Sequence, residues 1–423
     1  MLSIQLFRNE KQRVLEGLQK KHFKELDLVD AVIALDEERR QTQVENDTLA
    51  ATVNSVSRQI GQLMAQGQRE EADLLKQEVA RSKERAKELS QRLSELEAQL
   101  HDILIKLPNL PHSSVPAGRT PEDNEVVRTG GATPDLSAQQ LPHWELAAKY
   151  GLLDLELGNK IAGSGFPVYI DRGARLQRAL IGCFLDYNIN AGYREYYPPY
   201  LVNSDTAYGT GQLPDKEGQM YHVTEDNLFL IPTSEVPLTN VYRDVILTAE
   251  TLPVKMTAYS PCFRREAGSY GKDVRGLNRV HQFDKVELVQ LTHPERSYEA
   301  LEEMVAHVER LLQLLELPYR ILRLCGGDMS FTSALTYDFE VYSAAQERWL
   351  EVSSVSNFET FQTNRMKIRF KDEHSRTQLV HSLNGSSLAL PRILACLLEN
   401  NQSPEGIRIP EVLRPYFGAA MIG

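Results

Sequence analysis

The sequence predicts an α+β protein: an antiparallel sheet flanked by helices, preceded by a two-helix coiled-coil arm. The first observation is a seven-residue repeat of apolar positions in the N-terminal part of the chain. The second is the pattern of the remainder, where short strand-like runs are interrupted by helices without regular alternation. Such a pattern favours an antiparallel sheet, because a parallel sheet requires strands and helices that alternate.

The composition limits the classes of protein to which the chain can belong. The chain has 423 residues, a formal net charge of −11, 42% hydrophobic and 25% charged residues, as in soluble proteins of two or three domains. The negative charge opposes nucleic-acid binding by bulk attraction, so such a partner requires a local basic patch. No apolar run approaches a membrane span and the N-terminus is charged throughout, so we expect no membrane segment and no secretion signal. Four cysteines without metal-ligand spacing favour a reducing compartment, and we expect the chain in the cytoplasm.

The N-terminal arm is predicted over residues 1–107. Heptads run from Val32 to Leu63 and from Ala72 to Leu107, and the break between them fits a turn. Two long helices joined by a short connection pack antiparallel, and their only apolar seam faces the partner helix. A dimerisation or spacer coiled coil remains open beside contact with a long anionic molecule. The second helix carries six clustered cations interleaved with glutamates: Lys76, Arg81, Lys83, Arg85, Lys87 and Arg92.

A linker rich in Pro, Gly, Ser and Asp is predicted over residues 108–124, followed by a domain over 125–423. In this domain Asp171 to Asn190 predicts an amphipathic helix. Tyr193 to Val202 is strand-like but contains two prolines, Pro198 and Pro199. Proline confines a strand to an edge or an interface, so we expect an edge paired across a two-fold axis in a homodimer.

The central stretch runs from Ser260 to Glu287 and predicts two strands around a loop rich in Gly, Lys and Arg. Alternation puts Arg264 and Glu266 on one strand face, and Phe283, Lys285 and Glu287 on a face of the returning strand. Fixed charges beside an aromatic ring suit a ligand with a phosphate, a planar base and an ammonium group. A surface hairpin with exposed ion pairs is the alternative.

Further elements follow the same reasoning. We expect strands at Leu228–Leu230, Thr336–Val341 and Trp349–Val352, and helices at Ser297–Leu315 and Leu388–Glu399. Taken alone, Ser386 before the last helix is more often a helix N-cap than a ligand-binding residue. Taken alone, Glu351 is more often a carboxylate on the protein surface.

These segments together resemble the class II aminoacyl-tRNA synthetases, and specifically the seryl-tRNA synthetase family. The residues around Pro199 resemble the first motif of the class, those from Phe263 to Phe283 the second, and those from Gly385 to Arg392 the third. Each motif is weak alone, but their order, with the N-terminal helical hairpin and Pro-Thr-Ser-Glu235 between them, is specific. The resemblance covers essentially the whole chain. We expect no anticodon-binding domain after Arg392, which leaves the arm to read the tRNA.

The resemblance implies ATP-dependent activation of L-serine to seryl-adenylate and transfer of serine to the 3′ end of tRNA(Ser). The implied catalytic residues are Arg264, Glu266 and Arg392. The implied nucleotide site consists of Arg264, Arg265, Glu266, Phe283, Glu351, Val352, Ser353, Ser354 and Arg392. The implied serine site consists of Thr233, Ser234, Glu235, Arg264, Glu287 and Ser386. Glu351 and Ser354 are also the implied ligands of Mg²⁺, which takes hard oxygen donors and substrate phosphate.

Two alternatives and two departures qualify this interpretation. A serine-activating ligase for a non-tRNA carrier would be expected to lack a full-length arm, and an inactive binding paralogue to lack some of the site charges. Arg265 stands where the family usually has a small residue, and we expect its side chain to point away from the ligand. Ser387 and Pro391 replace residues that are often glycine in bacterial relatives. The basic loop from Lys272 to Arg279 is expected to be mobile when empty and to contact the acceptor end of tRNA.

Overall fold

The structure is a computed structural model that describes residues 1–215, 217–267 and 275–423. It contains two compact units, Met1–Pro108 and Asn109–Gly423. A basic loop is predicted from Lys272 to Arg279, and its residues 272–274 lie outside the described residues. In the part of the chain that is described, no helix is both long and apolar enough to cross a membrane.

The N-terminal unit is helical and contains the predicted two-helix arm. Charge pairs join the two long helices, Glu45 to Arg85 at 2.9 Å and Glu38 to Arg92. Because the residue numbers of the partners rise on one helix as they fall on the other, the helices are antiparallel, which confirms the prediction. The helices of this unit are α1 (Ile4–Asn9), α2 (Lys11–Lys20), α3 (Leu28–Ala65) and α4 (Arg69–Leu104).

The apolar seam of the arm is better buried near the chain termini of the hairpin than near its turn. Leu93, Leu96 and Leu100 on α4 are buried, whereas Val53 and Ile60 on α3 are only half-buried. The heptad pattern therefore identifies the seam along its whole length, but the helix pair near the turn contributes little apolar burial.

The short helix α1 packs on α3 through a buried charge that the heptad pattern does not predict. Asp36 is 1% exposed and accepts hydrogen bonds from Arg8 at 2.7 Å and from Arg39 at 3.1 Å. The bond from Arg8 is the main reason that the pKa of Asp36 is lowered from its ordinary value. A buried carboxylate needs such partners, because an unpaired buried charge costs roughly several kcal/mol.

The second unit is built on an eight-stranded sheet with the order β1-β11-β12-β13-β16-β10-β9-β4 among the described residues. Neighbouring strands are antiparallel except for β4, which pairs with β9 in parallel. The predicted antiparallel α+β fold is confirmed. The strands are β1 (Glu125–Gly130), β2 (Leu153–Asp154), β3 (Val168–Tyr169), β4 (Arg194–Glu195), β5 (Leu201–Asn203), β6 (His222–Val223), β7 (Leu228–Leu230), β8 (Ile246–Thr248), β9 (Val254–Phe263), β10 (Gln282–Thr292), β11 (Tyr319–Arg323), β12 (Leu335–Ser343), β13 (Arg348–Asn357), β14 (Arg369–Lys371), β15 (Thr377–Leu379), β16 (His381–Ala389), β17 (Gln402–Ser403), β18 (Gly406–Arg408) and β19 (Met421–Ile422).

Helices cover one face of this sheet. Val286 and Leu288 of β10 point into an apolar core that they share with the amphipathic helices. Their neighbours Lys285 and Glu287 point to the other face of the sheet. The described helices of this unit, on either face, are α5 (His143–Tyr150), α6 (Leu155–Ile161), α7 (Asp171–Asn190), α8 (Ser204–Thr210), α9 (Glu235–Asn240), α10 (Ser297–Leu314), α11 (Phe361–Met366), α12 (Leu390–Asn400) and α13 (Arg414–Phe417). Short 3₁₀ turns occupy Pro121–Asp123, Ala249–Thr251, Pro294–Arg296 and Glu411–Leu413.

The strand-like run from Tyr193 to Val202 is divided in the structure. Strand β4 ends at Glu195, the two prolines follow outside any strand, and β5 begins at Leu201. Proline lacks the N–H that a ladder needs, so the pairing stops there. Strand β4 lies at the edge of the eight-stranded sheet, as the prolines predict.

The central hairpin corrects one expectation. Strands β9 and β10 pair from Val254 opposite Leu291 to Phe263 opposite Gln282. The prediction that Arg264 and Glu266 share a strand face is wrong, because β9 ends at Phe263 and Glu266 adopts a φ of 48°. Both residues lie in the chain after the strand, where a left-handed backbone at Glu266 redirects its side chain.

The third motif is also arranged differently from the expectation. Gly385 and Ser386 lie inside β16, and α12 begins at Leu390 with Ala389 as its N-cap. The predicted helix start at Leu388 is therefore two residues early. The alternative interpretation of Ser386 as a helix N-cap is excluded, because it is part of the sheet. Strand β16 carries it directly opposite Glu287 of β10.

The arm yields a stability prediction. Leu96 is fully buried in the seam, whereas Leu74 on the same helix is 67% exposed. We expect Leu96→Ala to destabilise the arm by about 2–5 kcal/mol, because it removes buried methyl groups and leaves a cavity. Hydrogen-exchange mass spectrometry of the full chain should show faster exchange across α3 and α4. Leu74→Ala is the matched control, and equal acceleration by both variants would contradict a seam at Leu96.

Candidate active site

A cavity of about 580 Å³ opens on the sheet face that the core helices leave free. Its lining comes from β10, β13 and β16, from the chain that follows β9 and from the start of α12. Residues outside helices and strands complete it, among them Gln212, Pro232, Asn278 and Thr332. Most of the residues that the sequence singles out are brought together here: Thr233, Glu235, Arg264, Glu266, Phe283, Glu287, Glu351, Val352, Ser353, Ser354, Ser386 and Arg392. The cavity therefore gathers residues that are more than 150 positions apart in sequence.

A buried charged cluster forms one end of the cavity. Glu287 is 1% exposed, accepts a hydrogen bond from Thr233 Oγ1 at 3.2 Å and pairs with Lys285 Nζ at 2.6 Å. Burial raises the pKa of Glu287 above its ordinary value, and Lys285 acts in the opposite direction. The carboxylate thus depends on a nearby cation for its charge.

A second carboxylate, Glu235, lies beside Glu287 at the first residue of α9. Burial is the main cause that raises its pKa to about 7, and the charge of Glu287 raises it further. Gln362 Nε2 donates to Glu235 Oε1 at 2.7 Å, and Ser382 donates to Gln362 at 2.7 Å. These bonds fix the carboxyl group in one orientation although no cation contacts it among the described residues.

Two serines link β13 and β16 at the same end. Ser353 Oγ donates to the carbonyl oxygen of Ser386 at 2.6 Å. Ser386 faces Glu287 across the β10–β16 ladder, so a hydroxyl and a carboxylate point into the cavity side by side. A ligand carrying an ammonium and a hydroxyl group finds acceptors for both here.

The other end of the cavity combines a guanidinium with an aromatic face. The Arg264 guanidinium carbon lies 5.2 Å from the centroid of the Phe283 ring, and Arg264 Nε donates to the carbonyl of Pro232 at 3.4 Å. Glu266 pairs with Arg279 Nη1 at 2.9 Å. A flat ring bordered by fixed positive charge suits a planar base that carries phosphates.

Arg392 connects three parts of this end. Its Nε donates to the carbonyl of Asn278 at 2.9 Å, and its Nη1 donates to the carbonyl of Glu351 at 2.7 Å. The Glu351 carboxylate lies 3.7 Å from the same Nη1. Arg392 is in the first turn of α12, so the helix aims this side chain at the cavity while its own apolar face is buried in the core.

The residues around Glu351 are suited to a hard divalent cation. Asp338 stands opposite Ser354 in the β12–β13 ladder, and its Oδ1 is buried without a hydrogen-bond partner among the described residues. Burial raises the pKa of Asp338 well above its ordinary value, and the neighbouring Glu351 raises it further. Carboxylate and hydroxyl oxygens at this point form a donor set that Mg²⁺ accepts, completed by phosphate oxygens and water.

Two of the predicted site residues do not line the cavity. Ser234 is fully buried, and its hydroxyl donates to the carbonyl of Ala258 at 3.4 Å. Arg265 contributes its backbone N–H to the carbonyl of Gln219 at 2.9 Å, and its side chain is outside the lining. The expected orientation of Arg265 away from the ligand agrees with this placement.

Several lining residues were not predicted. Alternation places Lys285 on the predicted face with Phe283 and Glu287, but Lys285 is not among the predicted site residues. Asn384 could have been found in the same way, two residues before Ser386 on β16. Leu277, Asn278 and Val280 also line the cavity, but nothing in their sequence pattern indicates it.

Comparison with known proteins agrees with this arrangement. Residues 1–111 match the model of the seryl-tRNA synthetase N-terminal domain. Residues 221–401 match the tRNA synthetase class II core domain (G, H, P, S and T). The two matches lie in the order that the helical arm and the cavity-bearing domain require.

The relatives cover the chain from end to end. A serine--tRNA ligase of Salinibacter ruber is 52% identical, over 100% of this chain and 99% of the relative. A serine--tRNA ligase of Neisseria meningitidis serogroup C is 48% identical, over 99% of this chain and 98% of the relative. The crystal structure of seryl-tRNA synthetase from Pyrococcus horikoshii complexed with ATP superposes with a TM-score of 0.92 at 33% identity, covering 100% of this chain and 99% of the other. The chain therefore belongs to the seryl-tRNA synthetase family.

Proposed function

We propose that this chain activates L-serine with ATP to form seryl-adenylate and diphosphate, and then transfers serine to the 3′ end of tRNA(Ser). The observation that carries the proposal is the two-ended cavity, in which a buried acidic cluster adjoins a guanidinium beside an aromatic ring. An amino acid with an ammonium and a hydroxyl group fits the first end, and a nucleotide fits the second. An inactive paralogue would be expected to have lost some of the charged site residues, and in this chain all of them are present.

The serine end provides selectivity through buried acceptors. The ammonium group of serine would pair with Glu287 and Thr233, and its hydroxyl would reach Glu287 and Ser386. Glu235 supports this pocket through Gln362. Alanine and glycine would leave the buried Glu287 carboxylate without the hydrogen bond from the serine hydroxyl, which costs more than the loss of a simple apolar contact. Threonine carries the hydroxyl and must be rejected by size, which is a weaker discrimination.

Adenylate formation is attack of the serine carboxylate on the α-phosphate, so two anions must be brought together. Arg264 belongs to the nucleotide end, but its Nε contacts the carbonyl of Pro232, the residue before Thr233 of the serine end, so its planar fork would bridge the carboxylate and the phosphate. Phe283 and Arg392 would hold adenine between them, and Glu266 would accept from its amino group. Positioning and charge neutralisation are sufficient for this step, and no protein nucleophile is needed.

Mg²⁺ is part of the proposed site. Glu351 and Ser354 would hold it, since they present a carboxylate and a hydroxyl where the phosphates would lie. When bound, Mg²⁺ would neutralise charge that develops on the phosphates. Val352 and Ser353 between these ligands are buried and would fix their spacing through β13.

The arm is proposed to bind the tRNA. On α4, Arg85 and Arg92 pair with glutamates of α3, so their charge is partly compensated. Arg81, Lys83 and Lys87 are exposed, and the described residues place no carboxylate in salt-bridge distance of them. These cations are the ones available to phosphate groups, although the net charge of the chain is negative.

Assembly, domain division and location complete the proposal. We propose a homodimer, because Tyr197 is 77% and Leu201 41% exposed in the chain that follows the edge strand β4, and apolar groups at a sheet edge favour pairing. The arm, linker and catalytic domain are proposed to span residues 1–107, 108–124 and 125–423. We place the reaction in the cytoplasm, since all four cysteines are free and buried, as a reducing compartment keeps them.

The first prediction tests adenylate formation. Serine-dependent exchange of diphosphate into ATP should proceed without tRNA, and Arg264→Ala should lower its rate by at least about 100-fold, because a charge that stabilises the transition state is lost. Arg265→Ala is the matched control, since that side chain lies outside the cavity lining. Equal losses in both variants would contradict the role of Arg264. Exchange with alanine or threonine but not with serine would contradict the proposed substrate.

The second prediction separates the arm from the chemistry. Replacing residues 46–84 by the short turn at 64–68 keeps the pairing of Glu45 with Arg85 at a new tip. We expect serine-dependent exchange at the wild-type rate and charging of total tRNA reduced to background, because the outer half of the arm is removed together with two of the exposed cations of α4, Arg81 and Lys83. Charging that survives the truncation would show that tRNA is bound elsewhere.

The third prediction concerns Glu235, whose pKa of about 7 exceeds the ordinary value of 4.5. The folded state binds this proton more tightly than the unfolded state. Its contribution to stability is therefore complete below pH 4.5 and is lost as the pH rises through 7, an effect of about 3 kcal/mol. Glu235→Gln, which cannot ionise, should abolish this loss between pH 5 and pH 8.

Urea unfolding followed by tryptophan fluorescence measures this effect, because both tryptophans, Trp144 and Trp349, are in the second unit. Glu373→Gln is the control, since that carboxylate is exposed. Parallel pH profiles for the wild type and Glu235→Gln would mean that Glu235 is ionised across this range.

A further inference from the structure

His143, the first residue of α5, is completely buried beneath the nucleotide end of the cavity. It touches two elements that are distant in sequence. On one side it contacts Glu399 near the end of α12, with its ring Nδ1 2.7 Å from Glu399 Oε1. On the other side the backbone N–H of Leu277 donates to His143 Nε2 at 2.8 Å. The imidazole ring therefore bridges α12 and the chain that enters β10.

The two bonds define the tautomer of the ring. An N–H donor from Leu277 requires a lone pair on Nε2, so the proton of the neutral ring is on Nδ1. Nδ1 then donates to Glu399, whose Oε1 also accepts from the backbone N–H of His143 at 2.9 Å. Both ring nitrogens thus have a partner of the correct polarity, which a buried imidazole requires.

A second connection runs parallel to the first. Gln346 Nε2 donates to Glu399 Oε1 at 2.8 Å, and Asn278 Nδ2 donates to Gln346 Oε1 at 2.9 Å. Ser343 donates to the other oxygen of Glu399. Glu399 is thus the common acceptor of two connections. One runs through His143 to Leu277, and the other runs through Gln346 to Asn278.

These connections lead back to the cavity through Arg392. The carbonyl of Asn278 accepts from Arg392 Nε at 2.9 Å, and Leu277, Asn278 and Val280 line the cavity. Arg392 and Glu399 lie seven residues apart on α12, which is about two helical turns. The contacts form a closed circuit: α12 holds Glu399, Glu399 holds His143, His143 holds Leu277, and the next residue holds Arg392 of α12.

The fit around the ring leaves no space for adjustment. Gly276 has a φ of 65°, and a Cβ atom at this position would lie 2.2 Å from His143 Nε2. Arg275 stacks on Trp144, the residue after His143, with its guanidinium carbon 4.5 Å from the ring centroid. The start of α5 therefore contacts three successive residues, Arg275 to Leu277.

We propose that His143 is a positioning residue for ATP, which holds residues 277–280 so that the carbonyl of Asn278 orients Arg392. This inference rests on the proposed function for the identity of the nucleotide. Among the described residues, Leu277 is the one part of the cavity lining to which His143 is hydrogen-bonded. Without its Nε2, the buried N–H of Leu277 would have no acceptor, and the segment would move to find one.

The test uses two substitutions that each keep one half of the bridge. The amide of Asn reaches the position of Nδ1, so His143→Asn keeps a donor for Glu399 and loses the acceptor for Leu277. The amide of Gln reaches the position of Nε2, so His143→Gln keeps an acceptor for Leu277. Leu146→Ala is the control, because Leu146 is a fully buried core residue of the same helix whose apolar side chain makes no hydrogen bond to residues 275–280.

We expect His143→Asn to raise the KM for ATP in serine-dependent exchange on the order of tenfold, which is the effect of one lost buried hydrogen bond. The KM for serine should be unchanged, and His143→Gln should raise the KM for ATP less. A purely structural role would instead make all three variants follow their loss of thermal stability. Equal effects of His143→Asn and His143→Gln, an equal effect of Leu146→Ala, or a matching rise in the KM for serine would overturn the proposal.

Calorimetric titration with ATP alone keeps this result separate from the proposed function. If the wild type binds ATP but shows no exchange with serine, the proposed function fails while the Kd values for ATP still decide the role of His143. If exchange is normal and His143→Asn binds ATP as the wild type does, only the positioning role is wrong.

Discussion

Burial of charge at the closed end of the cavity is the constraint on which the rest of the site depends. Two carboxylates, Glu235 and Glu287, share this end with one ammonium group, that of Lys285. Both carboxyl groups have a raised pKa, chiefly because they are buried, so the cluster is short of positive charge. A ligand that brings an ammonium group supplies it. Because of the same deficit, we expect an uncharged analogue to gain little from entering.

The sheet makes this burial possible. Alternation along β10 sends Val286 and Leu288 into the helix-covered core and Lys285 and Glu287 to the cavity, so the apolar and charged faces are separated by one strand thickness. The ladder partner of Glu287 is Ser386, and the backbone bonds of β10 and β16 hold the two side chains at fixed spacing. Glu287 and Ser386 are therefore positioned by backbone hydrogen bonds, whereas Glu235 is held by side-chain bonds through Gln362.

The sequence predicts well those elements of the arm, the sheet and the helices that follow a local periodicity. Heptads predict the arm, alternation puts Phe283 and Glu287 on one face, and the helix over Asp171–Asn190 has the predicted ends. The failures have a different cause. Glu266 leaves the strand because of a left-handed backbone, Ser386 is paired within the sheet by a partner about 100 residues away, and Asp36 is buried by a short helix outside the heptads. Each depends on contacts that no local pattern encodes.

The arrangement of the nucleotide end depends even more on contacts that no local sequence pattern encodes. Arg264 and Arg392 are recognisable from their motifs, but Arg392 is oriented by the carbonyl of Asn278, and the segment around Asn278 is held by a histidine 135 positions earlier. Side-chain bonds that converge on Glu399 do here what the ladder does at the serine end. Because the two ends are held by separate sets of bonds, a change in one set can weaken binding of one substrate and leave the other intact. The residues that determine ATP binding thus extend beyond the cavity lining, into a buried network that is invisible to motif analysis.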